Sequence, residues 1–231
     1  MKNRYSRSGI YRSSVSWWIM LFFIYFSNIS FSQGQIKVPF TQRTSSYSPS
    51  KKIYSIKGDF TMIGNTNLTL QNYNDNSQNG NNYMVYVDVD NEPNTWNSSS
   101  ATLNFSTENG AVPSCSNIIY AGLYWTGRAS DNSPSDNTFS IKKNGVTKIF
   151  NKHKVLFKGP GQSYTQITAS DNPSNIYFPS TSDGYMYSAY AEVTDLVRAG
   201  GIGEYFVADI ALKEGDGGGT GYFGGWGLIV V

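Results

Sequence analysis

The sequence predicts an all-β fold, and three features of its 231 residues lead to that prediction. Ser, Thr and Asn fill 68 positions while only 15% of residues are charged, a composition that disfavours amphipathic helices. Aromatic residues reach 15%, which argues against a disordered chain. Short alternating apolar runs recur between turn clusters of Asn, Ser and Gly. Together these features predict an antiparallel β-sandwich, jelly-roll or immunoglobulin-like (Ig-like), preceded by a signal peptide.

The first 32 residues have the three parts of a secretory signal peptide. A basic start without acidic residues leads into ten apolar residues, Trp17 to Phe26, and then into small residues with a cleavage site expected after Ser32. A membrane anchor is the competing interpretation, but a spanning helix needs about 20 apolar residues. We therefore expect a secreted or cell-surface protein that has no membrane span after cleavage.

Removal of this leader reverses the sign of the net charge. The whole chain carries +2, but residues 1–32 contain four of the 18 basic residues and none of the 16 acidic ones, so the mature chain carries −2. No basic patch remains that would favour nucleic acid as a partner. The single cysteine, Cys115, excludes a disulfide scaffold and is expected to be a small buried residue.

The mature chain divides into a short leading segment and one domain. Residues 33–51 are rich in Ser, Thr, Gln and Pro without periodicity, which predicts a linker. Residues 52–231 predict a β-sandwich domain with enough length to form its own core. The final run, 226–231, is a strand pattern that stops without a turn, so we expect the chain to be the start of a longer protein.

The first clear strand, residues 83–90, also contains an acidic run. Its alternation places one set of side chains on the buried face, namely Val85, Val87 and Val89. Asp88 and Asp90 would then lie on the solvent face. With Glu92 they offer oxygen ligands that suit calcium, but the run lacks the glycine-centred twelve-residue calcium loop. We therefore predict solvated carboxylates and no metal site.

A central strand and a hairpin follow. Residues 117–126 are apolar on both faces, which predicts a strand in the middle of a sheet. Residues 140–150 predict a hairpin, because Asn144 and Gly145 suit the two positive φ angles of a type I′ turn.

Two later strands flank a helical turn. Residues 185–193 and 205–212 alternate, the second with Phe206, Ala208, Ile210 and Leu212 on one face. The segment between them predicts a short helix, with Thr194 as its cap and Gly200 as its stop.

The sequence offers weak signals for catalysis or nucleotide binding. Gly219, Gly221 and Gly224 match G-x-G-x-x-G, but a strand follows where a phosphate-binding turn would open a helix, so a flexible hairpin loop is the simpler interpretation. His153 is the only imidazole, and Cys115 has no nucleophile signature around it. We therefore predict no catalytic residues, no cofactor and no enzyme. A glycan-active enzyme that uses two carboxylates stays open as a third hypothesis, since their separation is a tertiary property.

Aromatic residues suggest carbohydrate binding instead. Sugar rings stack on exposed Trp and Tyr, and Trp96 lies in a polar Asn/Thr turn where we expect it to be exposed. Against that, four aromatics lie in predicted strands, where such residues commonly fill the core, namely Tyr124, Trp125, Tyr190 and Trp226.

Four stretches together resemble the amino-terminal region of large secreted surface proteins of Bacteroidota. They are Tyr120–Arg128, Tyr187–Thr194, Gly203–Asp209 and Gly224–Val231. Such adhesin-like proteins often end in a gliding-motility-associated type IX secretion domain, which this chain lacks, so type IX export is only implied. The family supplies no catalytic residues to carry over. The resemblance implies an extracellular adhesive module.

The leading hypothesis is thus a non-enzymatic extracellular or cell-surface module with an adhesive or structural role. It would present polar loops to surface glycans or other extracellular proteins, and those loops are 72–82, 91–100, 127–137 and 213–224. The alternative is a carbohydrate-binding module that uses exposed aromatics. The sequence does not indicate the oligomeric state.

Overall fold

A computed structural model describes residues 57–74, 82–129, 137–171, 174–179 and 185–231. These residues belong to one compact unit, Arg43–Val231. The predicted signal peptide and linker lie outside the described residues. Within them, the one α-helix has seven residues, and no helix is long and apolar enough to cross a membrane.

The described residues are mostly β-strands in antiparallel sheets. The strands are β1 (Thr61–Thr66), β2 (Leu68–Leu70), β3 (Met84–Tyr86), β4 (Ser98–Leu103), β5 (Ala121–Arg128), β6 (Thr138–Lys143), β7 (Val146–Asn151), β8 (Lys154–Lys158), β9 (Thr165–Thr168), β10 (Ile176–Tyr177), β11 (Met186–Glu192), β12 (Gly203–Ala208) and β13 (Gly224–Val230), with helix α1 (Thr194–Gly200). A five-stranded sheet has the order β1-β13-β5-β11-β10 and a four-stranded sheet the order β4-β12-β8-β9. Two further pairs, β2–β3 and β6–β7, complete the fold.

Both larger sheets contribute to one apolar core. Leu123 and Trp125 on β5 and Leu228 on β13 come from the five-stranded sheet, and Phe157 on β8 and Tyr205 on β12 from the four-stranded sheet, all at most 1% exposed. Burial of these large side chains is the main force that holds the two sheets together. The predicted central strand is confirmed as β5, although it begins at Ala121 and not at residue 117.

The hairpin prediction is confirmed in detail. Lys143 and Val146 form the last pair of β6 and β7, and two residues connect them. Asn144 has φ 51° and Gly145 has φ 82°, the left-handed values that a type I′ turn requires.

The predicted helix is confirmed as α1, but its predicted cap is wrong. No side chain caps α1, and Val193 precedes it. The hydroxyl of Thr194 instead accepts a hydrogen bond from the Ala121 amide and donates one to Glu192, so it ties the helix to β5. Gly201 ends the helix with φ 67°, one residue beyond the predicted stop.

One predicted strand face is wrong and a second is right only in part, since Ala208, Ile210 and Leu212 are all buried. Strand β3 covers only three residues, and Met84 and Tyr86 contact the core while Val89 is 46% exposed. On β12, Tyr205 is fully buried whereas Phe206 is half-buried. That strand ends at Ala208, before Asp209 with φ 54°, so the alternation predicted as far as Leu212 is interrupted.

A buried polar network joins the two sheets. The Asn67 amide nitrogen donates to Asn97 Oδ1 and to the Val207 carbonyl oxygen, at 2.9 Å each. Ser99 donates to Asn67 Oδ1 at 2.7 Å and accepts from the Trp226 indole nitrogen at 2.8 Å. Because every bond is buried, the network fixes β4, β12 and β13 in one register.

Candidate functional site

Parts of the predicted loops gather at one end of the fold. Gly215 and Met84 exchange two backbone hydrogen bonds of 2.8 and 2.9 Å, which joins the glycine-rich segment to β3. Residues 91–97 lie beside Asp209, which precedes the glycine-rich segment (214–225) by five residues, because the Trp96 amide donates to Asp209. We call residues 91–97, Arg128 and 209–222 the loop end. The predicted loop 91–100 is shorter than expected because β4 begins at Ser98, and residues 75–81 and 130–136 lie outside the described residues.

The glycine-rich segment is held in place by Arg128. Arg128 is only 7% exposed. Its Nη1 donates hydrogen bonds to the carbonyl oxygens of Gly217 at 2.7 Å and Gly221 at 3.1 Å. Its guanidinium also lies 5.6 Å from the ring centres of Tyr185 and Tyr222. The segment is therefore anchored at two carbonyls, which the sequence-based prediction of a flexible loop did not include.

The G-x-G-x-x-G match lacks the geometry of a dinucleotide site. Gly224 opens strand β13, so no helix N-terminus follows the three glycines. Gly217 has φ 67°, and a Cβ there would come within 2.4 Å of the backbone of Gly221. Glycine is thus required at that position by a tight backbone turn.

Trp96 is half-buried, so the prediction of an exposed stacking residue is wrong. Its ring meets the Phe150 ring edge-to-face, with centroids 5.9 Å apart, and packs against the core. Its amide donates to Asp209 Oδ1 at 2.9 Å, and Lys148 Nζ lies 5.9 Å from its ring centre. The polar residues around Trp96 in sequence gave no sign of this packing partner, which belongs to the hairpin.

Two lysines of the hairpin form ion pairs at the loop end. Lys148 pairs with Asp209 and also donates to the Asn94 carbonyl oxygen at 2.9 Å. Lys143 pairs with Glu214 at 3.0 Å. Each pair joins one lysine to one carboxylate, so its net charge is zero and it creates no charged site. Both pairs connect the hairpin to the loop end.

The acidic run contains one buried carboxylate. Asp88 and Glu92 are exposed as predicted, but the Asp90 side chain is only 10% exposed, so the solvated-face prediction is wrong for it. Asp90 accepts hydrogen bonds from Tyr164 at 2.6 Å, Ser98 at 2.7 Å and Lys158 at 2.9 Å. Burial opposes ionisation of Asp90, yet these hydrogen bonds outweigh it and hold its pKa below the ordinary value.

Asp90 therefore acts as a structural anchor for the segment before β4. Burial and the hydrogen bond to Asp90 raise the pKa of the Tyr164 hydroxyl, which stays protonated and keeps donating. Across the described ranges, no three His, Cys, Asp or Glu side chains come together in a way that would hold a metal ion.

His153 and Cys115 occupy different environments. His153 is 7% exposed, with Nε2 3.0 Å from Asn137 Oδ1 and Nδ1 3.2 Å from an Asp171 carboxylate oxygen. The neighbouring Lys152 is fully buried. Cys115 is exposed, so the prediction that it is buried is wrong. It closes a short 3₁₀ turn, Pro113–Cys115, that contributes no residue to the core.

A groove of about 1240 Å³ lies at the other end of β5 and was not found from the sequence. Its apolar lining includes Phe60, Phe105 and Val112, and Cys115 lies at its wall. The lining comes from three separate segments, residues 57–61, residues within 104–119 and the end of the chain at 230–231. No local pattern could have indicated it, because only the fold brings these segments together.

No protein family, curated protein or solved structure was found to match this chain.

Proposed function

We propose that this chain is a secreted or cell-surface β-sandwich module that presents a rigid loop end to a partner, in an adhesive or structural role. The leader-like residues 1–32 and the resemblance to secreted surface proteins of Bacteroidota support an extracellular location. Two antiparallel sheets around a shared core support the sandwich, jelly-roll or Ig-like in kind. The proposal assigns no catalytic step to the module.

The observation that carries the proposal is the internal bracing of the loop end. Arg128 holds two carbonyls of the glycine-rich segment, and Asp209 holds both the Trp96 amide and Lys148. Loops that are ordered before binding lose less conformational entropy when a partner binds. Meanwhile Asp216 and Thr220 remain exposed on the same segment, where a partner could contact them.

The proposal is tested in the bacterium that encodes the chain. Protease treatment of intact cells, followed by immunoblotting, should show that the protein is degraded from outside. Deletion of the gene should reduce the number of cells retained on glass and on polysaccharide films under flow. Complementation with the Asp216→Lys/Thr220→Lys variant should restore less retention than Thr147→Lys, an exposed hairpin position outside the loop end. Protease protection, or equal retention with and without the gene, would reject the proposal.

The alternative is a carbohydrate-binding module. The half-burial of Trp96 removes the residue on which that alternative first depended. A different surface supports carbohydrate binding, and it lies on the five-stranded sheet.

A further inference from the structure

The outer face of the five-stranded sheet contains a row of two glycines and two tyrosines. Register pairs place Gly64 beside Gly227, Gly227 beside Tyr124, and Tyr124 beside Tyr190. Their strand neighbours, such as Leu228, point into the core, so this row lies on the opposite, outer side. The row is therefore a floor of bare backbone next to two tyrosine rings, the tyrosine wall, of which Tyr124 is half-buried and Tyr190 is only 7% exposed.

The glycine floor is only partly required by the fold. A Cβ at Gly64 would lie 2.3 Å from the Trp226 carbonyl oxygen, so the neighbouring backbone excludes a side chain there. At Gly227 the nearest such atom is the Ile63 carbonyl oxygen at 3.9 Å, and a side chain would fit. Glycine weakens a strand interior, and its presence there often marks the close approach of a ligand or another backbone. Gly227 thus leaves space above the sheet that the fold itself does not need.

The tyrosine wall is fixed in position. The rings of Tyr124 and Tyr190 lie 4.9 Å apart, and the Tyr120 hydroxyl lies 3.0 Å from the Tyr190 hydroxyl. Burial raises the pKa of Tyr120, and the neighbouring tyrosine hydroxyls raise it further, so the Tyr120 hydroxyl stays protonated. Tyr124 is only half-buried, which leaves part of its ring open beside Gly227.

A row of hydroxyl groups runs parallel to this wall. It consists of Thr66, Thr126, Ser188 and Tyr177, and it is interrupted on β13 by Gly225, which is buried and has no side chain. Thr66, Thr126 and Ser188 are exposed, and Tyr177 is 40% exposed. The Thr126 hydroxyl donates to the Tyr187 carbonyl oxygen at 2.6 Å, so it offers an acceptor to a ligand.

The row on the opposite side of the tyrosines is apolar except for Glu192. Met62, Ile229, Gly122 and Glu192 are paired across four strands, and Met62 is 65% exposed. Glu192 is the one charged residue in the three rows, and it accepts a hydrogen bond from Thr194. Outer faces of antiparallel sheets are normally polar and often charged; apart from Glu192 these three rows carry no charged side chain, so the face suits an uncharged partner.

We propose that a neutral polysaccharide binds across this outer face, with one sugar ring above Gly227 and against the Tyr124 ring. The apolar face of a pyranose stacks on an aromatic ring, while its hydroxyls exchange hydrogen bonds with the adjacent Thr and Ser row. The bare backbone lets the sugar approach the sheet closely. This inference deepens the proposed function, on whose binding role it rests, by naming the partner class and a surface separate from the loop end.

The test uses the purified protein with xyloglucan and hydroxyethyl cellulose as neutral probes and alginate as an anionic probe. Titration calorimetry should detect binding of a neutral probe and none of alginate. Gly227→Val should weaken that binding roughly tenfold, the effect of losing one stacked contact, while the melting temperature stays the same or rises because Val favours strands. Thr165→Val, at an exposed position of β9, is the matched control and should bind as the wild type does.

A second variant guards against misfolding of the first. Ser188→Lys adds a charge at an exposed position of the same face and should also weaken binding of the neutral probe. Failure of both neutral probes to bind would overturn the inference, as would wild-type affinity in Gly227→Val and Ser188→Lys. A wild-type dimer in light scattering that Gly227→Val converts to a monomer would also overturn it, because a second copy would then be the occupant. In either case the proposed function survives if cell retention still depends on the loop end.

Discussion

Substitution of Asn97 by alanine should strongly destabilise the protein. Asn97 is fully buried, and its side chain caps the backbone just beyond β12. Oδ1 accepts a hydrogen bond from the Ile210 amide at 3.1 Å, and Nδ2 donates to the Ile210 carbonyl oxygen at 3.0 Å. Because Ile210 is also fully buried, water cannot replace either bond in the unrelaxed fold.

The size of the effect follows from the groups left without partners. Each buried polar group that loses its hydrogen bond costs about 1–3 kcal/mol. Asn97→Ala removes the side-chain hydrogen-bond partner of both the amide and the carbonyl of Ile210, so the expected loss in unfolding free energy is about 4 kcal/mol. Asn67 is less affected, because its amide nitrogen keeps the bond to Val207. A loss of this size lowers the melting temperature by roughly 12 °C in a chain of this length.

Urea denaturation monitored by tryptophan fluorescence measures the change, with calorimetry as a second assay. Asn104→Ala is the matched control, since Asn104 is exposed and its substitution should alter stability by at most about 0.5 kcal/mol. A loss below about 1 kcal/mol in Asn97→Ala, with an unchanged m-value, would refute the reasoning. It would mean that the two Ile210 groups find other partners.

Three further predictions concern the loop end, the acidic run and the cysteine. Arg128→Ala should raise amide hydrogen exchange in residues 217–222 about tenfold while β5 stays protected, because two hydrogen bonds to carbonyl oxygens are lost. Unchanged exchange would contradict the role of Arg128 in holding this segment. The pKa of Asp90 is lowered in the folded state, so its stabilising contribution is complete above the unfolded pKa of about 3.9 and is lost as pH falls through the folded pKa. Thermal melts of Asp90→Asn should therefore lose less stability between about pH 5 and pH 2 than the wild type, and parallel pH profiles would argue against the assignment. Cys115 should react with Ellman's reagent in the native protein nearly as fast as in urea, whereas strong protection would contradict its exposed position.

The features predicted correctly from the sequence are those determined by a few adjacent residues. The hairpin depends on Asn144 and Gly145, whose backbone conformations are preferences of those residue types. The central strand depends on a run of apolar residues, which favours a position between two other strands, and β5 lies between β13 and β11. The short helix was predicted from Thr194 and Gly200 at its two ends, although Thr194 does not cap it and Gly201 is the residue that ends it. Each of these signals is local, so no tertiary contact was needed to recognise it.

The failed predictions depend on partners that are distant in sequence. The valines at 85, 87 and 89 do alternate in sequence, but they do not form the buried face of β3. Tyr86 lies on the face that packs inward, where its hydroxyl donates to the Leu212 carbonyl oxygen, and that interaction sets the orientation of β3. Asp90 is buried because Lys158 and Tyr164, 68 and 74 residues later, supply its hydrogen bonds. Cys115 was expected to be buried from the general preference of cysteine, whereas the turn that contains it packs nothing against the core.

The outer face of the five-stranded sheet shows why a binding surface of this kind escapes sequence reasoning. Gly227 and Tyr124 are 103 positions apart, and each looks unremarkable within its own strand. Only the register of β13 against β5 makes them neighbours, and a shift of one residue would turn Tyr124 into the core and expose Leu123. That shift is prevented from the inside, where Trp226 pairs with Trp125 and donates to Ser99 in the buried polar network. The interior contacts therefore determine the arrangement of the outer face, so substitutions in the network should alter binding at Gly227 even though they never touch a ligand.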